Sequence, residues 1–225
     1  MNRISILILA GAATLVSATA ASAADLLINQ PAPVYGNNFG SSTGGWDGAY
    51  IGGFVGYGWG TMVDEDGNIL LNPDDETDLN GWTVGAKLGA NFSVGGGLVL
   101  GAEGDVAWSG IGGYNNDALV DYDINWTSSL RGRAGYDAGA FMPYVTGGLA
   151  LAGATASRTG VDNSQVHIGW TAGAGVEVAA TEQISVDLGY RYSDYGQATY
   201  DLGGGDISDL NLTTHAVTAG VNFKF

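Results

Sequence analysis

Two histidines and a set of clustered carboxylates are the residues here that could do chemistry. Hydrolysis or acyl transfer needs a nucleophile or an activated water beside a base. His167 follows Asp162 and Ser164 closely, yet nothing in their spacing orders the three into a relay. His215 opens an alternating run in which it falls on the apolar side. The expectation is therefore no enzymatic activity. Imidazole also ligates iron, which makes haemin an option for His167. The stretch MVDEDGNILLNPDDETDLN carries Asp64, Glu65, Asp66, Asp74, Asp75, Glu76 and Asp78 and no base. Hard divalent cations take several carboxylate oxygens, so a cation site is one reading. A solvated acidic surface is the other, and the one adopted. The run Asp64-Glu65-Asp66-Gly67-Asn68 lacks the spacing and the closing glutamate of a calcium loop. No cofactor is expected, and metal binding is left unassigned.

The scaffold that must position these residues is an exported chain. Arg3, the apolar run Ile4–Val16 and the small residues Ala21-Ser22-Ala23 form a cleavable secretory leader, residues 1–23. Residues 24–45 are rich in proline, glycine, serine and asparagine and read as a flexible periplasmic lead-in. Cysteine is absent, so no disulfide frame supports the fold. The formal charge of −16 argues against nucleic acid and against adhesion to anionic headgroups. Glycine numbers 39, where ordinary usage of about 7% would give roughly 16.

Those glycines sit inside eight alternating runs: Tyr50–Thr61, Trp82–Phe92, Leu98–Ser109, Ile124–Tyr136, Pro143–Ala152, Val166–Val178, Ile184–Tyr195 and Thr214–Phe225. Short connections (Ser93–Gly97, Asp137–Met142, Ala179–Gln183) alternate strictly with long ones (Met62–Gly81, Gly110–Asp123, Gly153–Gln165, Gly196–Thr213). That wiring predicts an all-β fold: an eight-stranded antiparallel up-and-down transmembrane barrel over residues 46–225, with short periplasmic turns and long extracellular loops.

The faces sharpen the expectation. The second run sets Trp82, Val84, Ala86, Leu88, Ala90 and Phe92 against Thr83, Gly85, Lys87, Gly89 and Asn91. The third and seventh runs divide the same way. An aliphatic face opposite a face of glycine and charge suits lipid outside and a narrow lumen inside. Parity then sends Lys87, Arg131, Arg133, Arg191 and Lys224 inward with Glu103, Asp105, Glu177 and Asp187. Estimated heights put Lys87, Glu103, Asp105, Arg131 and Arg191 near mid-barrel and the other four toward the periplasm. Buried charge is too costly to leave unpaired, so these nine are expected to form a lumen-filling network, with an ion pathway as the alternative.

The stretch WDGAYIGGFVGYGWG at Trp46–Gly60 resembles the first strand of small alphaproteobacterial outer-membrane barrels, the porin-family or OmpA-type transmembrane group that includes surface antigens. LRGRAGY at Leu130–Tyr136, PYVTGGLA at Pro143–Ala150, VDLGYRYSDYG at Val186–Gly196 and the closing HAVTAGVNFKF continue the resemblance across nearly the whole barrel. It implies an outer-membrane location and a monomer. Outer-membrane lipid and lipopolysaccharide are the expected surroundings. The last strand, ending on Phe225, resembles the signal that such barrels present to the barrel assembly machinery. The expected role is structural and surface-interacting, with a polar, plugged lumen and acidic loops. A narrow porin-like channel is the alternative, and haemin or divalent-cation binding at the loops is a third reading.

Overall fold

A computed structural model of the chain describes residues 45–64, 76–115, 120–158, 161–201 and 207–225. The leader, nearly all of the lead-in, and Glu65, Asp66, Asp74 and Asp75 lie outside the described residues.

Eight strands follow one another: β1 (Gly48–Asp64), β2 (Glu76–Gly95), β3 (Leu98–Asn115), β4 (Val120–Tyr136), β5 (Phe141–Arg158), β6 (Val161–Ala179), β7 (Ile184–Asp201) and β8 (Ile207–Lys224). Neighbours pair antiparallel, and β1 pairs with β8 to close a barrel. Over the lower part, aliphatic side chains stand outward. Val55, Val84, Leu130, Val145, Leu149 and Val221 are all more than half exposed, and Trp82 and Trp108 reach 70%. Water would penalise such a surface, whereas a bilayer demands it, together with a closed ring that satisfies the backbone internally.

The strands are longer than the alternation suggested: 17 to 20 residues, where the alternating runs suggested about a dozen. At about 3.3 Å per residue and a tilt near 45°, they climb roughly 40 Å, well beyond an apolar band about 25 Å tall. Much of what reads as long loops is strand. The reason is a reversal of polarity above a belt of outward aromatics that includes Trp59, Trp82, Trp108 and Trp170. There the apolar residues turn inward, where Met62, Leu79, Ile111, Ile124, Leu210 and Leu212 form a buried core with Tyr122, Tyr195 and four alanines of β5. Polar residues such as Asp78, Asn80, Asp121 and Asp123 face out. Below the belt the barrel is inside-out for lipid; above it, the barrel has an ordinary core and a water-facing exterior.

In β1, β2 and β8 the inward parity is unbroken and only the residue types exchange faces, whereas in β4 and β7 an irregularity also changes the phase. In β4 the register shifts between Ile124 and Trp126, so Ser129, Arg131 and Arg133 point inward below the shift while Tyr122 and Ile124 do so above it. In β7 the shift lies between Asp194 and Gln197, at Gly196, whose φ of 62° is a left-handed conformation. At the opposite end, Gly95, Gly96 and Gly97 (φ 100°, 63° and 83°) turn β2 tightly into β3.

Candidate functional site

The charge-bearing lumen links neighbouring strands, as Glu103 and Arg131 do on β3 and β4, and also strands that do not touch. Lys87 on β2 meets Asp187 on β7 at 2.6 Å, reaching over both β1 and β8. Gly52 and Gly220 on those two strands leave the passage open. A Cβ on Gly52 would lie 3.2 Å from Lys87 Cε, and one on Gly220 would lie 2.6 Å from Asp187 Oδ2. Asn222 Nδ2 donates to Asp187 Oδ2 at 3.2 Å and to Glu177 Oε1 at 3.1 Å. Glu177 also pairs with Arg133 and accepts from Ser185.

The neighbouring layer is centred on Asp105. Arg131 Nη2 approaches it at 2.8 Å, Arg191 Nη1 at 3.2 Å and Ser129 Oγ at 2.5 Å. Arg131 also pairs with Glu103, whose other oxygen accepts from Tyr50 Oη at 2.6 Å. Tyr50 in turn accepts from Arg133 at 3.4 Å, and the Arg133 guanidinium lies 3.9 Å over the Tyr144 ring. The hydrogen bonds therefore run without a break from Arg191 to Lys87. Four cations and four acids balance in this network, which is how charge is retained in a low-dielectric interior. Mid-barrel and periplasmic groups form one ladder, not two clusters, because Tyr50 bridges Glu103 and Arg133, while Lys87 pairs down to Asp187.

Lys224 stands apart from the ladder. Its Nζ lies 4.7 Å over the Trp46 ring and donates to the Gly45 carbonyl at 3.3 Å. Trp46 is 1% exposed and packs with Val99, Met142 and Ala179 across the periplasmic mouth. Nothing in the alternation singled out Trp46, which precedes β1. A tryptophan just before a strand that pairs with a lysine-bearing terminal strand was the available signal.

Within the ladder itself little space remains. The cavity among Phe54, Lys87, Glu103, Arg131, Asp187 and Arg191 is about 20 Å³, room for about one water. Above the ladder lies the apolar core, which sequence parity did not disclose and which replaces the wholly polar lumen expected from it.

The remaining candidates are dispersed. His167 is buried inward with Nδ1 3.3 Å from the Gly196 carbonyl, while Ser164 faces outward and shares a 2.9 Å hydrogen bond with Thr155. The two lie on opposite faces of β6. His215 faces outward, stacked on Trp59, with Nδ1 2.6 Å from Tyr190 Oη. Of the acidic stretch, Asp78 is exposed on β2, while Asp64 ends β1 and Glu76 begins β2. Among the described residues no group of three or more potential ligands is gathered around a metal position.

The chain is 35% identical over 226 residues to the 25 kDa outer-membrane immunogenic protein of Brucella abortus biovar 1 (strain 9-941), covering 100% of both. It is 34% identical over 184 residues to the 22 kDa outer membrane protein of Rhizobium leguminosarum bv. viciae, covering 81% of this chain and 79% of that one. Among solved structures, Neisserial surface protein A aligns with a TM-score of 0.46 and 19% identity over 79% of this chain and 97% of that chain. Residues 7–225 match the outer membrane protein beta-barrel domain, and the chain belongs to that family of outer-membrane barrels.

Proposed function

We propose that this outer-membrane barrel is a closed structural element of the bacterial envelope whose outer end serves as an interaction surface. The observation that carries the reading is closure of the lumen by three unlike layers in series. Trp46 and Lys224 form a floor, the neutral ladder fills the middle, and an apolar core fills the outer section. An ion entering would have to break buried pairs and then shed its water in an apolar layer, and each step is costly. No catalytic role is assigned to His167, which supports the strand backbone through Gly196. The relatives called immunogenic outer-membrane proteins lend support to an exposed outer end.

The test is single-channel recording on chain refolded from Ala24 to Phe225 in planar bilayers, with folding confirmed by a heat-dependent gel shift. Wild type is expected to be silent. Arg131→Ala is expected to stay silent as well, because the apolar layer persists, and steps should require Leu210→Ala and Leu212→Ala in addition. Reproducible wild-type steps would replace this reading with a narrow porin-like channel.

A further inference from the structure

The barrel wall is not continuous to its top. The ladder between β6 and β7 stops at Trp170↔Asp194, whereas β5 and β6 stay paired up to Arg158↔Val161 and β7 and β8 up to Asp201↔Ile207. Contact between β6 and β7 continues through Ile168 and His167 against Gly196; above it the β5–β6 and β7–β8 hairpins are no longer paired with each other, and each presents a strand edge to the gap. The break coincides with Gly196 at φ 62° and the adjoining register shift between β7 and β8. The foot of the gap is held by the His167 ring against the Gly196 carbonyl.

We propose that this gap is a strand-docking site that accepts an extended, basic peptide segment from outside the cell. The proposal rests on the reading of the outer end as an interaction surface and names its partner class. Edge backbone is a template for an added strand, with main-chain hydrogen bonds supplying affinity and alternate side chains supplying selection. On the inner side a guest strand would meet Ala198 and the core around Ala154 and Tyr195, which suits small apolar residues. On the outer side it would pass exposed Asp162 on β6, with Asp209 on β8 beside Thr199 of β7. In sequence, the outer segments carry a single base, Arg158, among many acids. Lysine or arginine at alternate positions is the complement, and the same charge disfavours a second copy of this acidic edge.

Hydrogen exchange on the full refolded barrel in nanodiscs tests this, with a nine-residue peptide of alternating lysine and valine as the probe. Without peptide, amides of Asp162, Ser164, Val166 and Ile168 on average should exchange faster than those of Ala172–Val178. The peptide should slow them. A glutamate–valine peptide and a lysine–valine peptide N-methylated at alternate residues should not. Asp162→Lys, checked for folding by gel shift, should weaken lysine-peptide binding by about fivefold, the scale of one exposed charge pair. The proposal is overturned if the upper β6 amides are as protected as Ala172–Val178 in the free barrel. It is also overturned if the N-methylated peptide protects equally well, or if protection rises with protein concentration alone, which would mark self-pairing. A silent barrel that binds no peptide would sink this inference and leave the closed-barrel reading intact; a conducting barrel that binds it would do the reverse.

Discussion

Lys87 and Asp187 join strands on either side of the barrel's closing seam, at 2.6 Å and 100 residues apart in sequence. Their pair spans β1 and β8, the two strands that must find each other last in sequence order. Removing one partner leaves a buried charge without its counterion, at a cost of about 3–5 kcal/mol. Lys87→Met or Asp187→Leu alone should lower the denaturant midpoint in micelles and weaken the heat-shifted band. The double variant should recover most of the loss, because a hydrophobic pair can replace a buried ion pair at little cost. Equal losses in the singles and the double would mean that the pair is incidental.

The inward glycines are expected to be spaces for charge, and only some are. Tyr50, Phe54 and Tyr144 each lie over the cross-strand glycine paired with them, Gly89, Gly85 and Gly175 respectively. A Cβ on Gly89 would sit 2.5 Å from Tyr50 Oη, so Gly89→Ala must displace the ring that holds Glu103. The expected cost is about 1–3 kcal/mol, as for other overpacking changes. Tyr50→Phe in the Gly89→Ala background should add little, since the hydrogen bond is already lost. A full additional penalty in the double variant would show that the ring had stayed in place.

How far the sequence was legible depends on where its alternation keeps one phase. From Trp82 to Phe92 every second residue faces lipid, and both the strand and the position of Lys87 come from counting. Above the belt the residue types exchange faces. In β2, Thr77 and Leu79 turn inward while Asp78 and Asn80 face water, a pattern that reads as loop when only an apolar outer face is sought. In β4 the shift near Asn125 resets parity, and a single inserted residue leaves no compositional mark. Which acid each base would choose was also hidden. Lys87 lies beside Asp105 in the ladder register yet bonds to Asp187, because barrel curvature and the clearances at Gly52 and Gly220 set the reach.

Trp46 gives a separable handle on the periplasmic floor. Its ring is almost wholly buried under Lys224, so Trp46→Ala should cost about 3–5 kcal/mol, the usual penalty for deleting a buried large aromatic. Lys224→Met keeps the packing and loses the cation–π contact, which is worth about 0.5–2 kcal/mol. Acrylamide quenching of a variant retaining only Trp46 should be weak in wild-type background and rise with Lys224→Ala. Strong quenching from the outset would place the indole in water and remove the floor.

Asp123 offers a pH test outside the membrane. Partial burial, and then the charge of Asp121, hold its carboxyl above the ordinary carboxylate range. A raised folded value means that the protonated form favours the fold. That contribution is complete at low pH and is lost as pH rises through the elevated midpoint. Asp123→Asn should therefore stabilise the outer part of β4 at pH 7, and its advantage over wild type should fade on acidification. Carboxyl carbon shifts in a pH titration would show the elevated midpoint directly. A midpoint at or below that of an unperturbed aspartate would contradict the placement beside Asp121.

The phase shift in β4 amounts to one extra residue, Asn125, between Ile124↔Ala154 and Trp126↔Gly153 in the register with β5. Deleting it joins Ile124 to Trp126, and plain alternation upward from Ser129 then still places Ile124 and Tyr122 inward and Asp121 and Asp123 outward. Deletion of Asn125 should therefore preserve insertion, the heat-shifted band and the protease resistance of the outer ends. Ile124→Asp tests the outer core itself, because it places a carboxylate without a counterion among Met62, Leu79 and Leu212, which is costly. The lipid-facing half below Thr127 keeps its pattern, so this variant should still insert while the outer ends of β3 and β4 become open to protease. If Ile124→Asp left those ends as resistant as wild type, the division of the barrel into a lipid-solvated and a water-solvated half would have to be abandoned.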